Sequence, residues 1–271
     1  MLISGKEYDV KNHTYIFGIL NVTQDSFSDG GKYNTLDNAL KRAEEMVNEG
    51  VHFIDIGGES TRPGFIPVQA EMEIEAVVPV IEALKREFDV PLSLDTRKAA
   101  VAKEGIRAKV DIINDVDGLK GDALMAKTIA DAGVSCIIMH NRNDRNYVNL
   151  MDDIMKDLQG SLDLADEAGI GRDKIILDPG IGFAKDTAQN LEVLKNLDRF
   201  NEFKLPMMLA HSRKSVIGNT LGLPVDERVE GTLALTALAV FNRYGFVRVH
   251  DIKENKRVID MLEAVYGRDQ R

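Results

Sequence analysis

The chain has 271 residues, 44% of them hydrophobic in type, which is ample for one large α/β domain or two smaller ones. Its net charge of −10 argues against nucleic acid as a partner, because a phosphate backbone needs a basic surface, yet leaves room for a small anion held by a few local cations. Cys136 is the single cysteine, so an intramolecular disulfide and a cysteine-based metal cluster are both excluded.

The N-terminal stretch Met1 to Val10 carries Lys6, Glu7 and Asp9 and lacks the apolar core of a signal peptide. No uninterrupted apolar run is long enough for a bilayer, and the chain is read as cytoplasmic. Tyr15 to Asn21 is a buried-strand pattern that ends in an amide, followed by a polar, Gly-bearing loop from Val22 to Asn34. From Leu36 to Val47 the apolar positions recur at helical spacing. A strand over Phe53–Ile56 contains Asp55 and runs into Gly57-Gly58-Glu59-Ser60-Thr61-Arg62-Pro63-Gly64. A helix over Ala70–Phe88 follows, where Pro79 predicts a kink or a late start.

Strand Leu92–Leu94 then ends at Asp95, helix Ala99–Ala108 follows, and strand Asp111–Ile113 ends at Asn114-Asp115. Helix Ala123–Asp131 leads to strand Val134–Met139, which ends at His140, and Leu150–Ala168 is a helix with one clean apolar stripe. Ile175-Ile176-Leu177 ends in Asp178, where Pro179-Gly180 turn the chain at once; a helix is expected over Ala188–Phe200. Strand Pro206–Ala210 runs into His211-Ser212-Arg213-Lys214. An apolar helix spans Arg228–Arg243, strand Phe246–Val249 ends at His250, and a last helix covers Glu254–Tyr266.

That makes eight short apolar strands alternating with helices, the look of a parallel sheet covered on both faces. With no linker or low-complexity segment, the pattern predicts a single-domain α/β fold, a (β/α)₈ TIM barrel over residues 1–271. In such a barrel the chemistry sits at the C-terminal ends of the strands, where these polar residues fall.

Asp95, Asn114 and Asp178 end three different strands. Each alone reads equally well as a loop cap; three converging on one mouth suit a flat heterocycle with several N–H donors. Arg213 and Lys214 read either as surface charges or, for Lys214, as the counter-charge of an acidic pocket. Ser215, near a helix N-terminus, suits an anion. Arg248 and His250 flank a buried valine and would project together into the rim as a phosphate clamp, completed by Asn21, Thr61 and Arg62. The loops Thr23–Tyr33 and Glu59–Pro67 read as lids or as plain solvent loops. Cys136 is expected in the core, and His13 and His52 are read as structural. No Walker-type phosphate loop, zinc cluster or nucleophile elbow appears.

Several segments together resemble the dihydropteroate synthases: Gly18 through Gly31, Asp55 through Gly64, Ser93-Leu94-Asp95-Thr96, Ile112-Ile113-Asn114-Asp115, Leu177 through Phe183, Ser212-Arg213-Lys214 and Val247-Arg248-Val249-His250. They fall in family order and span nearly the whole chain. The resemblance implies a pterin-binding barrel domain, a transferase of folate biosynthesis and the target of sulfonamides. Its reaction would join 6-hydroxymethyl-7,8-dihydropterin diphosphate to p-aminobenzoate, giving 7,8-dihydropteroate and pyrophosphate. It further implies that Asp95, Asn114, Asp178 and Lys214 hold the pterin, with Asp95, Asp178 and Lys214 catalytic. Asn21, Thr61, Arg62, Arg248 and His250 would hold the diphosphate, Asn21 also meeting Mg²⁺. Phe27, Pro63 and Ser215 would line the p-aminobenzoate pocket, in a homodimer with no nucleic-acid or membrane partner.

Two departures stand out. Gln24 replaces the proline usual in the first loop, which frees φ there, and Ala210-His211 precede Ser212 where the family pattern has a glycine. Two rivals share the acidic pocket. A methyltetrahydrofolate-dependent methyltransferase barrel would have no use for a diphosphate clamp, and a silent pterin-binding relative would lack a clamp or loop residue.

Overall fold

The computed structural model describes residues 1–22, 31–59 (side chains from residue 36) and 68–266. The candidates Phe27, Thr61, Arg62 and Pro63 and the Gln24 departure lie outside these residues.

Two very short antiparallel strands, β1 (Leu2–Ile3) and β2 (Lys6–Glu7), form an N-terminal hairpin. Then come β3 (Tyr15–Asn21), α1 (Gly31–Asn48), β4 (Phe53–Gly57), α2 (Ala70–Glu87), β5 (Leu92–Asp95) and α3 (Ala99–Arg107). The second half runs β6 (Ile112–Asp115), α4 (Met125–Ala132), β7 (Ser135–Met139), α5 (Leu150–Ala168), β8 (Ile175–Asp178) and α6 (Thr187–Lys195). It closes with β9 (Met208–Ala210), α7 (Ser215–Leu221), α8 (Val229–Phe241), β10 (Phe246–Val249) and α9 (Ile252–Tyr266).

Strands β3 to β10 form one parallel sheet in the order β8-β7-β6-β5-β4-β3-β10-β9. A parallel bridge between Leu177 and Met207, with the Leu177 N–H donating to Pro206 O at 2.9 Å, joins its two ends and closes the barrel. The expected (β/α)₈ barrel is therefore present.

The barrel strands β3 to β10 are buried along most of both faces, and alternation along the chain sorts them. One set, including Ile54, Ile56, Leu92, Leu94, Ile113, Ile138, Leu177 and Val247, packs outward against the helices. The other set, Phe17, Phe53, Ile112, Ile137, Ile176, Met208 and Phe246, fills the lower barrel, and Ile3 and Tyr8 cover it from beneath. Phe17 and Phe53 stack with centroids 4.4 Å apart, and Phe246 meets both edge-on at 5.5 and 5.8 Å. Each of these fully buried rings contributes on the order of 1.5–3 kcal/mol by area, before any gain from ring geometry.

Helix α1 starts at Gly31, well before the expected Leu36, because its first turn carries no apolar period to read. Helix α2 begins at Ala70 and runs through Pro79, so the late start does not occur; Pro79 is on the exposed side. Helix α6 stops at Lys195, and Leu197–Phe203 is a separate 3₁₀ segment rather than its continuation. Cys136 is buried in the core, and His52 is structural: its Nδ1 accepts from the Ile16 N–H at 3.1 Å.

Candidate active site

Side chains two residues apart on a strand enter the barrel one layer apart. Above Phe53 comes Asp55, above Ile112 Asn114, above Ile176 Asp178, above Phe246 Arg248, and above Ser93 Asp95. An apolar plug thus carries a charged layer at the C-terminal end of the barrel. Asp55, Asp95, Asn114 and Asp178 are all buried there.

Arg248 is the countercharge of this layer. Its Nε donates to Asp55 Oδ2 at 2.5 Å and its terminal nitrogen to Asp95 Oδ2 at 2.7 Å, while Asn114 Nδ2 lies 3.4 Å from the same Asp55 oxygen. Burial pushes the Asp95 carboxyl up to about 7, Arg248 opposing the rise and Asp55 adding to it. Asp55 Oδ1, Asp95 Oδ1 and Ser93 Oγ are buried and have no partner among the described residues. Unpaired buried oxygens are costly, so an array of them facing one layer marks a place where N–H donors bind.

Asp178 ends β8, and Pro179-Gly180 turn the chain so that the Gly180 N–H donates to Asp178 Oδ1 at 2.7 Å. Gly180 has φ +69°, and a Cβ there would lie 2.0 Å from the His140 carbonyl oxygen, so only glycine fits. Burial raises the Asp178 carboxyl, against the pull of Lys214, the Gly180 N–H, Lys185 and Arg248. Lys214 caps α7, with its ammonium on the Ile181 carbonyl and 4.8 Å from the Phe183 ring centroid. Burial lowers Lys214 to about 8, while Asp178 works in the opposite direction. Of its two sequence readings, the counter-charge of an acidic pocket is the one this geometry fits.

The rim departs from expectation in two places. Arg248 does not stand at the rim with His250 but sits on the carboxylate floor, because its partners are Asp55, within β4, and Asp95, at the end of the neighbouring β5. Arg213 is neither a free surface charge nor part of the pocket: its guanidinium grips Asp251 through two bonds of 3.0 and 2.6 Å. His250 keeps its place, half-buried, with Nδ1 3.0 Å from Ser212 Oγ. Asn21 lies exposed at the end of β3, beside Gly57 of β4, and Ser215 lies exposed at the first position of α7.

Three residues of this region escaped the sequence reading. Asp55 passed as a strand residue, although a carboxylate in an all-buried strand, in phase with Phe53, was the available signal. Phe183 and Lys185 lie beyond the strand end, where no periodicity points inward. Lys185 is 3% exposed, a rare state for a lysine.

The chain matches the family model described as pterin binding enzyme over residues 17–250. It is 50% identical over 269 residues to a dihydropteroate synthase of Clostridium beijerinckii, covering 99% of this chain and 100% of the relative. A dihydropteroate synthase of Clostridium difficile, solved in the presence of pteroic acid, superposes with TM-score 0.94 at 45% identity, over 96% of this chain and 99% of that one. One from Xanthomonas albilineans, solved with 4-aminobenzoic acid, gives TM-score 0.90 at 36% identity over 94% of each chain.

Proposed function

The chain belongs to the pterin-binding enzyme family, as one of its dihydropteroate synthases, and on that footing we propose that the charged barrel layer is its pterin site and the rim its diphosphate site. The enzyme condenses 6-hydroxymethyl-7,8-dihydropterin diphosphate with p-aminobenzoate to 7,8-dihydropteroate and pyrophosphate. In the proposed assignment Asp95, Asn114, Asp178 and Lys214 hold the pterin ring. Asn21 and His250 hold the diphosphate, together with Thr61 and Arg62 from outside the described residues. Arg248 bridges Asp55 and Asp95 as their shared counter-charge, on the floor rather than at the rim. Ser215, Phe27 and Pro63 face p-aminobenzoate, and we add Phe183, whose ring lies against Lys214.

The observation that carries this reading is the set of unpartnered carboxylate oxygens in the floor. Three buried carboxylates share one layer with a single paired guanidinium, and two of their oxygens are unpartnered. When the C–O bond to the diphosphate breaks, its electron pair leaves with pyrophosphate and positive charge spreads into the dihydropterin ring. Asp95 and Asp178 are fixed in place beforehand, buried among apolar walls, where such charge stabilisation is strongest. The uncharged aniline nitrogen then forms the C–N bond and releases its proton, so no strong base is required.

Mg²⁺ is the proposed cofactor. Among the described residues no three His, Cys, Asp or Glu side chains form a metal-holding group. Mg²⁺ commonly needs only one or two protein oxygens beside substrate phosphates, and the exposed Asn21 amide at the strand end fits that donor set. When bound it supplies positive charge to the leaving diphosphate.

A homodimer is proposed on the face of α8 and α9, where Phe241 is 51%, Met261 64% and Val265 59% exposed and Phe241 packs edge-on against Tyr266 at 5.3 Å. No helix among the described residues is long and apolar enough to cross a membrane; a cytoplasmic location is part of the same proposal.

The test of the site is pyrophosphate release from the dihydropterin diphosphate with and without p-aminobenzoate, in Mg²⁺ and after chelation, for the parent chain and Asp178→Asn. Coupled release that needs Mg²⁺, and loss of pterin binding in Asp178→Asn, are expected. Unchanged pterin affinity in that variant would remove Asp178 from the site.

A further inference from the structure

Behind the turn that carries Asp178 lies a buried lysine to which the reaction assigns no part. The Lys185 ammonium has three hydrogens and three acceptors: Gly180 O at 3.0 Å, Phe183 O at 3.1 Å and His140 Nδ1 at 2.9 Å. An amine with three acceptors and no donor is satisfied only in its protonated form; burial lowers Lys185 to about 7, while Asp178 and the three acceptors favour that form. If Nδ1 of His140 accepts, the ring proton sits on Nε2, and Nε2 lies 3.1 Å from Asp157 Oδ2, to which it donates. Burial, and then Lys185, hold His140 down to about 2, which keeps the ring neutral and able to accept. Arg142 Nε lies 3.2 Å from that same Asp157 oxygen. The chain of donors therefore runs without conflict from Lys185 and His140 to Asp157.

These bonds end on Gly180, the residue whose N–H orients Asp178. The Gly180 N–H grips one oxygen of Asp178 at 2.7 Å, and the Gly180 carbonyl is gripped by Lys185. The His140 N–H donates to the Asp178 carbonyl at 2.8 Å, and the Tyr147 hydroxyl donates to Ala184 O at 2.9 Å. Asp178 is thus held from its backbone by His140 and from its side chain by a glycine whose other end is tied to Lys185.

We propose that Lys185, braced by His140 and Asp157, is a positioning residue of the synthase, fixing the backbone of Gly180 through its carbonyl so that the Gly180 N–H holds one oxygen of Asp178 and the second is aimed at the pterin. This rests on Asp178 binding the pterin, and the experiment separates the two statements. Four variants are compared with the parent: Lys185→Met, His140→Phe, His140→Gln and Asp178→Asn. For each, dihydropterin diphosphate affinity is measured by calorimetry, KM for each substrate by pyrophosphate release, and the melting temperature by circular dichroism.

Loss of a hydrogen bond to a charged group corresponds to about tenfold in affinity, so Lys185→Met and His140→Phe should raise the pterin Kd about tenfold while KM for p-aminobenzoate stays within about twofold. His140→Gln offers one acceptor and one donor in place of the two ring nitrogens and should retain the parent's pterin affinity. A general loss of packing would instead lower the melting temperature and move both KM values together. Unchanged pterin affinity in Lys185→Met, or equal damage in His140→Gln and His140→Phe, overturns the proposal. Should Lys185→Met fail to fold, the two His140 variants decide it. If Asp178→Asn keeps its pterin affinity, the underlying site assignment falls as well; if only that variant loses affinity, the positioning role alone falls.

Discussion

Replacing Arg248 by Met tests the charged floor most directly. The guanidinium is 16% exposed and bonds Asp55 at 2.5 Å and Asp95 at 2.7 Å, carboxylates that are 0% and 6% exposed. Removing one partner of a buried ion pair leaves an uncompensated charge and costs about 3–5 kcal/mol, the figure expected here at pH 8. The pH dependence carries the sharper prediction. In the fold Asp95 is raised by burial to about 7, with Arg248 opposing the rise, so without Arg248 its value climbs further. A carboxyl raised above its unfolded value stabilises the fold fully in acid and loses that contribution as pH rises through its folded value. In the parent the loss ends near 7. In the variant it continues above 7 at about 1.4 kcal/mol per pH unit. The stability difference should therefore be about 1 kcal/mol smaller at pH 7 than at pH 8, and should change by only about 0.3 kcal/mol between pH 6 and 7. Urea unfolding followed by circular dichroism at pH 6, 7 and 8, with slopes compared, measures it. A difference that is constant across that range, or absent, would refute the charge argument.

Gly180→Ala should cost at least about 1–2 kcal/mol from its positive φ, more from the clash with the His140 carbonyl, and should weaken pterin binding more than p-aminobenzoate binding; a melting curve and the two KM values check this. Lys98→Met removes the ammonium that Glu59 and Glu73 share at 2.7 and 2.5 Å, both carboxylates being buried. It should destabilise by about 3–5 kcal/mol in urea unfolding, and no loss would mean that the carboxylates find other partners. The pH profile of kcat/KM for the pterin substrate should be bell-shaped. Protonation of Asp95, raised to about 7, removes the stabilising charge on the acid side, and deprotonation of Lys214, lowered to about 8, removes its donor on the alkaline side. Lys214→Arg, which does not deprotonate in this range, should shift the alkaline limb upward, and an unmoved limb would assign it to another group.

The architecture was legible because each barrel strand is a dense apolar run that stops at a polar residue, and a parallel strand needs little else to be recognised. Asp95, Asn114 and Asp178 could be read as one site for the same reason: a strand end in a barrel has a known destination. Asp55 could not be found that way, since its place depends on which strand face points inward, and that is settled only when the sheet closes. Arg248 was seen, but its partners lie 193 and 153 residues away in the chain, so its place on the floor rather than the rim had no local signature. The hairpin β1–β2 went unread because two-residue strands have no period. Lys185 shows the same limit from another side: its acceptors are mainly backbone carbonyls, which every residue carries and no sequence pattern reveals.

The apolar plug beneath the charged layer makes the barrel a blind well. Phe17, Phe53 and Phe246 fill its lower half and Ile3 and Tyr8 seal the base, so traffic to Asp55 and Asp95 passes through the mouth. A dead-end shaft imposes an order on its occupants: whatever rests at the bottom enters first and is the last to depart. In the proposed assignment, which puts the pterin on the floor and the aniline above it, an early-arriving amine would stand in the doorway. Excess p-aminobenzoate, or any flat acid shaped like it, would then act as a stopper as well as a competitor, slowing the arrival of the other substrate without touching a single pterin ligand.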